Sequence, residues 1–187
     1  MPTNYSNCVN CPYNPNSSNY ALTTPSLNGV PCNIDQGSNA QILLVFQAPG
    51  IDEWVGNTIS GNQLPIDSVN PHSAAARMRN SFTRRTLAGN PTNRAMYDIT
   101  ESVQCFPDKY KSGRDKKPLS AARNCCNIHL QNDLSAKQYQ SIICFGQVAF
   151  NLTQQAIRNI GSWKGPTPIL AQHPSSRVSN TLLDLSY

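Results

Sequence analysis

The sequence predicts an α/β protein, a single domain with a four-stranded parallel sheet flanked by helices. Three observations predict it. Four short apolar runs rich in β-branched residues read as strands, the segments between them carry helical spacing, and strict strand–helix alternation favours parallel pairing with right-handed crossovers. A chain of 187 residues is long enough for one well-buried core and short for two.

In chain order, Gln41–Gln47 (QILLVFQ) is the first strand and Ala74–Leu87 the first helix. Tyr97–Cys105 is the second strand, followed by a helix over Leu119–Leu134. Ser141–Phe145 is the third strand, leading into a helix over Gln147–Ile160. Pro168–Gln172 is the fourth strand, and Val178–Leu185 a short final helix. All four strands read as buried, because their apolar character is nearly continuous.

In open α/β sheets the functional crevice lies beyond the carboxyl ends of the strands. Here those ends read QAPGIDE, ESVQCFP, FGQ and QHPSS. Turn chemistry accounts for the Gly and Pro in these strings, but not for the Glu, Cys and His among them.

The formal charge is +5, from 15 Lys+Arg against 10 Asp+Glu. Basic residues concentrate in Arg77–Arg94, Lys109–Lys117 and near Arg123, an arrangement that suits a polyanion such as DNA as well as an ordinary solvated face. Hydrophobic residues at 39% and charged residues at only 13%, with 14 Pro, describe a loop-rich globular chain and exclude a disordered one. No stretch reaches the roughly 20 apolar residues of a membrane span, and the start MPTNYSNCVNCPYN lacks the form of a signal peptide, so a cytoplasmic protein is expected. Seven Cys in a reducing compartment suit metal ligation better than a disulfide framework.

With those residues in view, the chain resembles the family-4 type of the uracil-DNA glycosylase superfamily. That family's first motif reads approximately GEAPGxxE and then GRPFVG; here Phe46–Glu53 reads FQAPGIDE and Gly56–Gly61 reads GNTISG. Its TNVVKC strand corresponds to Thr100–Cys105 (TESVQC), its LGxxA to Phe145–Ala149 (FGQVA), and its closing HPS to His173–Ser175. The four pieces fall in the same order at matching strand ends and cover roughly residues 8–178.

The resemblance implies a [4Fe–4S] cluster held by Cys8, Cys11, Cys105 and Cys126, with residues 1–35 as the cluster-binding segment. Cys126 is preferred to the adjacent Cys125 because the family places a Leu four residues after the ligand, and Leu130 meets that spacing. Four thiolates are also adequate for zinc. Cys32 and Cys144 are left over, the latter read as a small core residue.

A glycosylase takes the nucleotide out of the stack, reads its Watson–Crick edge and stabilises charge as the base leaves. The resemblance gives His173 the role of donor to the departing base, and leaves water positioning among Gln47, Asp52 and Glu53, since the position of the catalytic Asp in the best-known relatives is here Ala48. Asp52 and Glu53 are equally readable as carboxylates at a helix N-terminus. Ser175 and Ser176 suit a flanking phosphate, and Arg177 or Val178 stands where the family inserts a wedge.

Two departures matter most. Glu101 replaces the Asn that reads uracil, and Ile59 replaces the Phe on which uracil stacks. An ionised carboxylate only accepts hydrogen bonds, so it repels the uracil carbonyl but suits the exocyclic amine of cytosine. Gly50 stands where a Tyr would block ring carbon 5. Excising ordinary cytosine would destroy the host genome, so the expected target is a 5-substituted cytosine, such as glucosylated 5-hydroxymethylcytosine of phage DNA. The expected partner is therefore DNA with modified bases, bound by a monomer. Uracil excision in repair and a non-catalytic DNA-binding homologue are the competing expectations. The covalent-capture mode of a uracil-binding relative finds no KRRIH-like string after GNTISG.

Overall fold

A computed structural model describes residues 8–22, 34, 36–50, 74–87, 94–174 and 179–184. The elements are β1 (Ile42–Phe46), α1 (Ala74–Leu87), β2 (Tyr97–Glu101), α2 (Ser120–Ser135), β3 (Ser141–Phe145), α3 (Gln147–Ile160), β4 (Ile169–Ala171) and α4 (Asn180–Asp184). The strands form one sheet in the order β2-β1-β3-β4, with every pairing parallel. The predicted fold class is the observed one.

Alternation along each strand sends successive side chains to opposite faces and so divides the core. Leu43, Val45, Ile142 and Cys144 pack against α2 and α3 through Leu130, Leu134, Ala149 and Leu152. Leu44, Phe46, Ile99, Ile143 and Phe145 pack on the other side with Met78 and Phe82 of α1 and Leu183 of α4. Cys144 is fully buried and donates to Thr153 Oγ1, so it is a core residue as its position in the strand implied.

Two expected features are corrected. The second strand stops at Glu101 rather than Cys105, because after Ser102 N and Val103 N bond to the Phe46 and Gln47 carbonyls the chain turns out of the sheet. The fourth strand is three residues long and lies at the edge, with Ile169 and Leu170 53% and 47% exposed, so it is not a buried strand. Ala74–Leu87, Ser141–Phe145 and Gln147–Ile160 have the expected bounds, and the remaining boundaries differ by one or two residues, as helix and strand ends commonly do.

The α1 arginines prove to be engaged within the fold. Arg84 grips both oxygens of Asp184 at 2.9 and 2.7 Å, Arg85 donates to the Asp184 carbonyl, and Ser81 donates to the same carboxylate. The Arg84 guanidinium holds the Asp184 carboxyl below its ordinary range. Part of the basic stretch over Arg77–Arg94 thus clamps α4 to α1. Among the described residues no helix is long and apolar enough to cross a membrane.

Candidate metal centre and strand-end crevice

Residues 8–22 form successive tight turns rather than a helix or strand. Cys11 N bonds to the Cys8 carbonyl at 2.9 Å, Asn14 N to the Cys11 carbonyl at 3.0 Å, and the Asn14 side-chain amide returns to the Cys8 carbonyl. This winding brings the Cys8 and Cys11 thiols within hydrogen-bond contact of each other. Tyr13 fastens the turns to the body of the protein: its ring is fully buried and its hydroxyl accepts the Leu119 N–H at 2.9 Å, satisfying a donor at the start of α2. Burial pushes the Tyr13 hydroxyl up to about 12.

Four thiols from three separate segments converge there, with Cys8, Cys11, Cys105 and Cys126 all no more than 2% exposed. They form a chain of contacts, Cys8 to Cys11, Cys11 to Cys126 and Cys126 to Cys105. None is in a disulfide. Donation from Cys126 and Cys8 pulls Cys11 down to about 3, while Cys126 is held high by its contacts with Cys105 and Cys11 and by burial. Cys125 is half-buried, and its side-chain hydrogen bond is to Cys11. Cys126 is therefore the member of the adjacent pair that links both halves of the group.

Among the described residues no three His, Cys, Asp or Glu side chains stand in a ready-made coordination geometry. The donor chemistry nonetheless fits a thiolate-ligated centre, with four buried sulfurs packed in one cluster.

His129 was not singled out from the sequence. It follows Cys126 by three residues, shares its helix face, is 4% exposed, and places Nε2 3.0 Å from Cys8 Sγ. Burial lowers its pKa.

Beside the thiols, buried polar contacts fix β2. Asp98, fully buried, accepts from Gly37 N at 2.9 Å and Tyr139 OH at 2.7 Å, and pairs with Lys137 at 2.8 Å. Gly37 is required by this approach, since a Cβ there would lie 2.4 Å from the Ala95 carbonyl oxygen. One turn of strand later, Thr100 Oγ1 and Gln104 Nε2 both donate to Asp133 of α2, at 2.5 and 3.1 Å. Burial pushes the Asp133 carboxyl up to about 6. Glu101 lies between Thr100 and Gln104, so this clamp sets where the end of β2 sits.

At the carboxyl ends of the strands, register places Glu101, Phe46, Phe145 and Ala171 on one rung across the sheet. Phe46 and Phe145 stack at 4.7 Å with their rings 11° apart in the core, on the same rung as Glu101, which is 5% exposed. The next rung is locked by Ser102 Oγ on the Gln47 carbonyl and by Gly146 N on the Ala171 carbonyl. Gln47, Ala48 and Gly50 follow directly and are half-buried.

His173 lies just beyond β4, half-buried against Gly146. Gly146 has φ of +93°, a conformation that side chains rarely adopt, and a Cβ there would meet His173 Cβ at 3.5 Å. Burial lowers the His173 pKa, so at neutral pH the ring is uncharged. Three inter-strand spacings put the ends of β2 and β4 about 14 Å apart. The structure thus assigns Gln47, Ala48, Gly50, Glu101 and His173 to one end of the sheet, and the four thiols to the α2 side. Asp52, Glu53, Ile59, Ser175, Ser176, Arg177 and Val178 lie outside the described residues.

The Lys109–Lys117 segment is an ordered hairpin. Lys109 and Asp115 pair through their backbones as an isolated antiparallel bridge, Tyr110 N bonds to the Arg114 carbonyl, and buried Asp108 accepts from Lys116 Nζ at 3.1 Å. Lys109, Lys111, Arg114 and Lys117 remain exposed on it. No family model matches the chain, and no curated protein matches its sequence.

Proposed function

We propose that the chain is an iron–sulfur DNA glycosylase that excises a 5-substituted cytosine, such as glucosylated 5-hydroxymethylcytosine of phage DNA, in defence against phage. What supports the proposal is the joint presence of a buried four-thiol cluster and of Glu101 and His173 at the carboxyl ends of β2 and β4 of the same sheet. The thiol group and His173 match what the resemblance to family-4 glycosylases implies, and Glu101 is the departure that shifts the expected base.

Cys8, Cys11, Cys105 and Cys126 would hold the [4Fe–4S] cluster, whose contribution is to cross-link the N-terminal turns to α2 and the basic hairpin. Glycosidic hydrolysis breaks the bond between sugar carbon 1′ and the base nitrogen; the base leaves with the bonding electrons and water adds at carbon 1′. His173, neutral through burial, donates to the base carbonyl where negative charge develops, and keeps that donor without needing a proton from solvent. Glu101 accepts from the exocyclic amine, on a strand end fixed by the Asp133 clamp. The Phe46–Phe145 stack packs the core on the rung that Glu101 shares. Gln47, Asp52 and Glu53 are the groups available to orient water, with Ala48, Gly50 and Ile59 lining the substituent side and Ser175 and Arg177 meeting the strand.

The test is a panel of single- and double-stranded oligonucleotides carrying uracil, 5-hydroxymethylcytosine or its glucosylated form, followed by alkaline cleavage of abasic sites. Breaks at the modified cytosines, lost in His173→Ala while DNA binding persists, are expected. Breaks only at uracil overturn the substrate assignment and leave a repair enzyme. Binding without breaks in the wild type overturns the activity.

A further inference from the structure

We infer that His129 is the positioning residue of the thiol centre, donating its Nε2–H to the Cys8 sulfur and holding that sulfur as a ligand. The inference rests on the cofactor reading above and adds to it a residue outside the four thiols.

Cys8 and His129 are 121 residues apart in sequence, and their side chains meet at 3.0 Å in a buried environment. A thiol at Cys8 can donate to the ring or accept from it. A metal-bound thiolate can only accept, so ligation selects the tautomer with hydrogen on Nε2.

The contact is too short for His129 to share a tetrahedral metal with Cys8. Bond lengths of about 2.0 Å to nitrogen and about 2.3 Å to sulfur separate two such ligands by about 3.5 Å. His129 therefore acts through Cys8. Its place on α2, one turn after Cys126, makes a single rigid helix carry one ligand and the donor to another. The Asn14 amide on the Cys8 carbonyl and the Cys11 N–H on the same carbonyl fix the other side of that residue. A partner of this kind holds the sulfur in its ligating orientation, which slows its release even though the hydrogen bond draws some charge from the metal–sulfur bond.

The full-length protein is purified without oxygen, assayed for iron and zinc, and compared with His129→Gln and His129→Leu. Gln places an amide N–H near the position of Nε2, whereas Leu fills the volume without a donor. Wild type and His129→Gln should release metal to a chelator at similar rates, and His129→Leu about 10–100-fold faster. Resonance Raman bands of the iron–thiolate bonds should rise in frequency in His129→Leu alone, because a hydrogen bond weakens the metal–sulfur bond. His129→Leu matching wild type in both measurements overturns the inference, and so does His129→Gln behaving like His129→Leu, which would make the role one of packing. Neither iron nor zinc in wild type after reconstitution overturns the cofactor reading itself. Zinc in place of iron overturns only the cluster, and the chelator comparison then decides the inference.

Discussion

Replacing Asp133 by Asn should stabilise the protein at neutral pH. Asp133 Oδ2 accepts from Thr100 and Gln104, yet burial, with help from Asp98, raises its carboxyl from an ordinary 3.8 to about 6. The folded state therefore binds this proton more tightly than the unfolded chain. The stability it contributes is fully present below pH 3.8 and is lost as pH rises through 6. At 1.36 kcal/mol per unit, the difference amounts to about 3 kcal/mol above pH 6, or about 2 kcal/mol once the half-buried position of the residue is allowed for. An Asn amide oxygen accepts the same two hydrogen bonds and carries no charge to desolvate. Urea unfolding under reducing conditions, repeated from pH 4 to 8, should show the variant and wild type alike near pH 4 and separating by about 2 kcal/mol at pH 7.5. A gap that does not vary with pH, or a variant less stable than wild type at pH 7.5, refutes the reasoning. The result bears on function because Thr100 and Gln104 flank Glu101.

Glu101→Asn should restore an amide that pairs with uracil, moving the ratio of activity on modified cytosine to activity on uracil by about 1–3 kcal/mol toward uracil. Base release from matched duplexes measures it, and an unchanged ratio removes Glu101 from the reading of the base. Cys126→Ser should lower bound iron far more than Cys125→Ser, as measured by metal content of the purified variants, because only Cys126 contacts both Cys11 and Cys105. The opposite ranking assigns the ligand to Cys125.

The sheet was legible because its information is local. Ile42–Phe46 and Ser141–Phe145 are apolar on both faces, which is what helices on both sides of a parallel sheet demand. The limits of the reading appear wherever a residue's partner comes from elsewhere in the chain. Arg84 and Arg85 look like part of a basic patch until Asp184, about 100 positions on, takes them. Tyr97–Cys105 looks like one strand because apolar Val103 continues the run, but only the pairing with β1 reveals that the ladder ends at Glu101. Ile169 and Leu170 look buried because their pattern cannot report which strand lies at the edge.

The helix α2 shows why the centre was half-visible. Its inward residues include Leu130 and Leu134, which mark a helix by their spacing, but Cys126, His129 and Asp133 fall at i, i+3 and i+7 along the same side. Such a stripe reads as weakly amphipathic, and its polar members look like solvent-facing positions. Each is instead satisfied by a different segment: Cys126 by Cys11 and Cys105, His129 by Cys8, Asp133 by Thr100 and Gln104. Cysteines announce themselves by rarity and spacing, so two of those ties could be anticipated. A histidine and an aspartate do not, and their roles emerge only when the N-terminal turns and β2 are seen lying against the helix. The same helix thus bears on both halves of the proposed site, gripping the thiol group at one end and setting the position of Glu101 at the other.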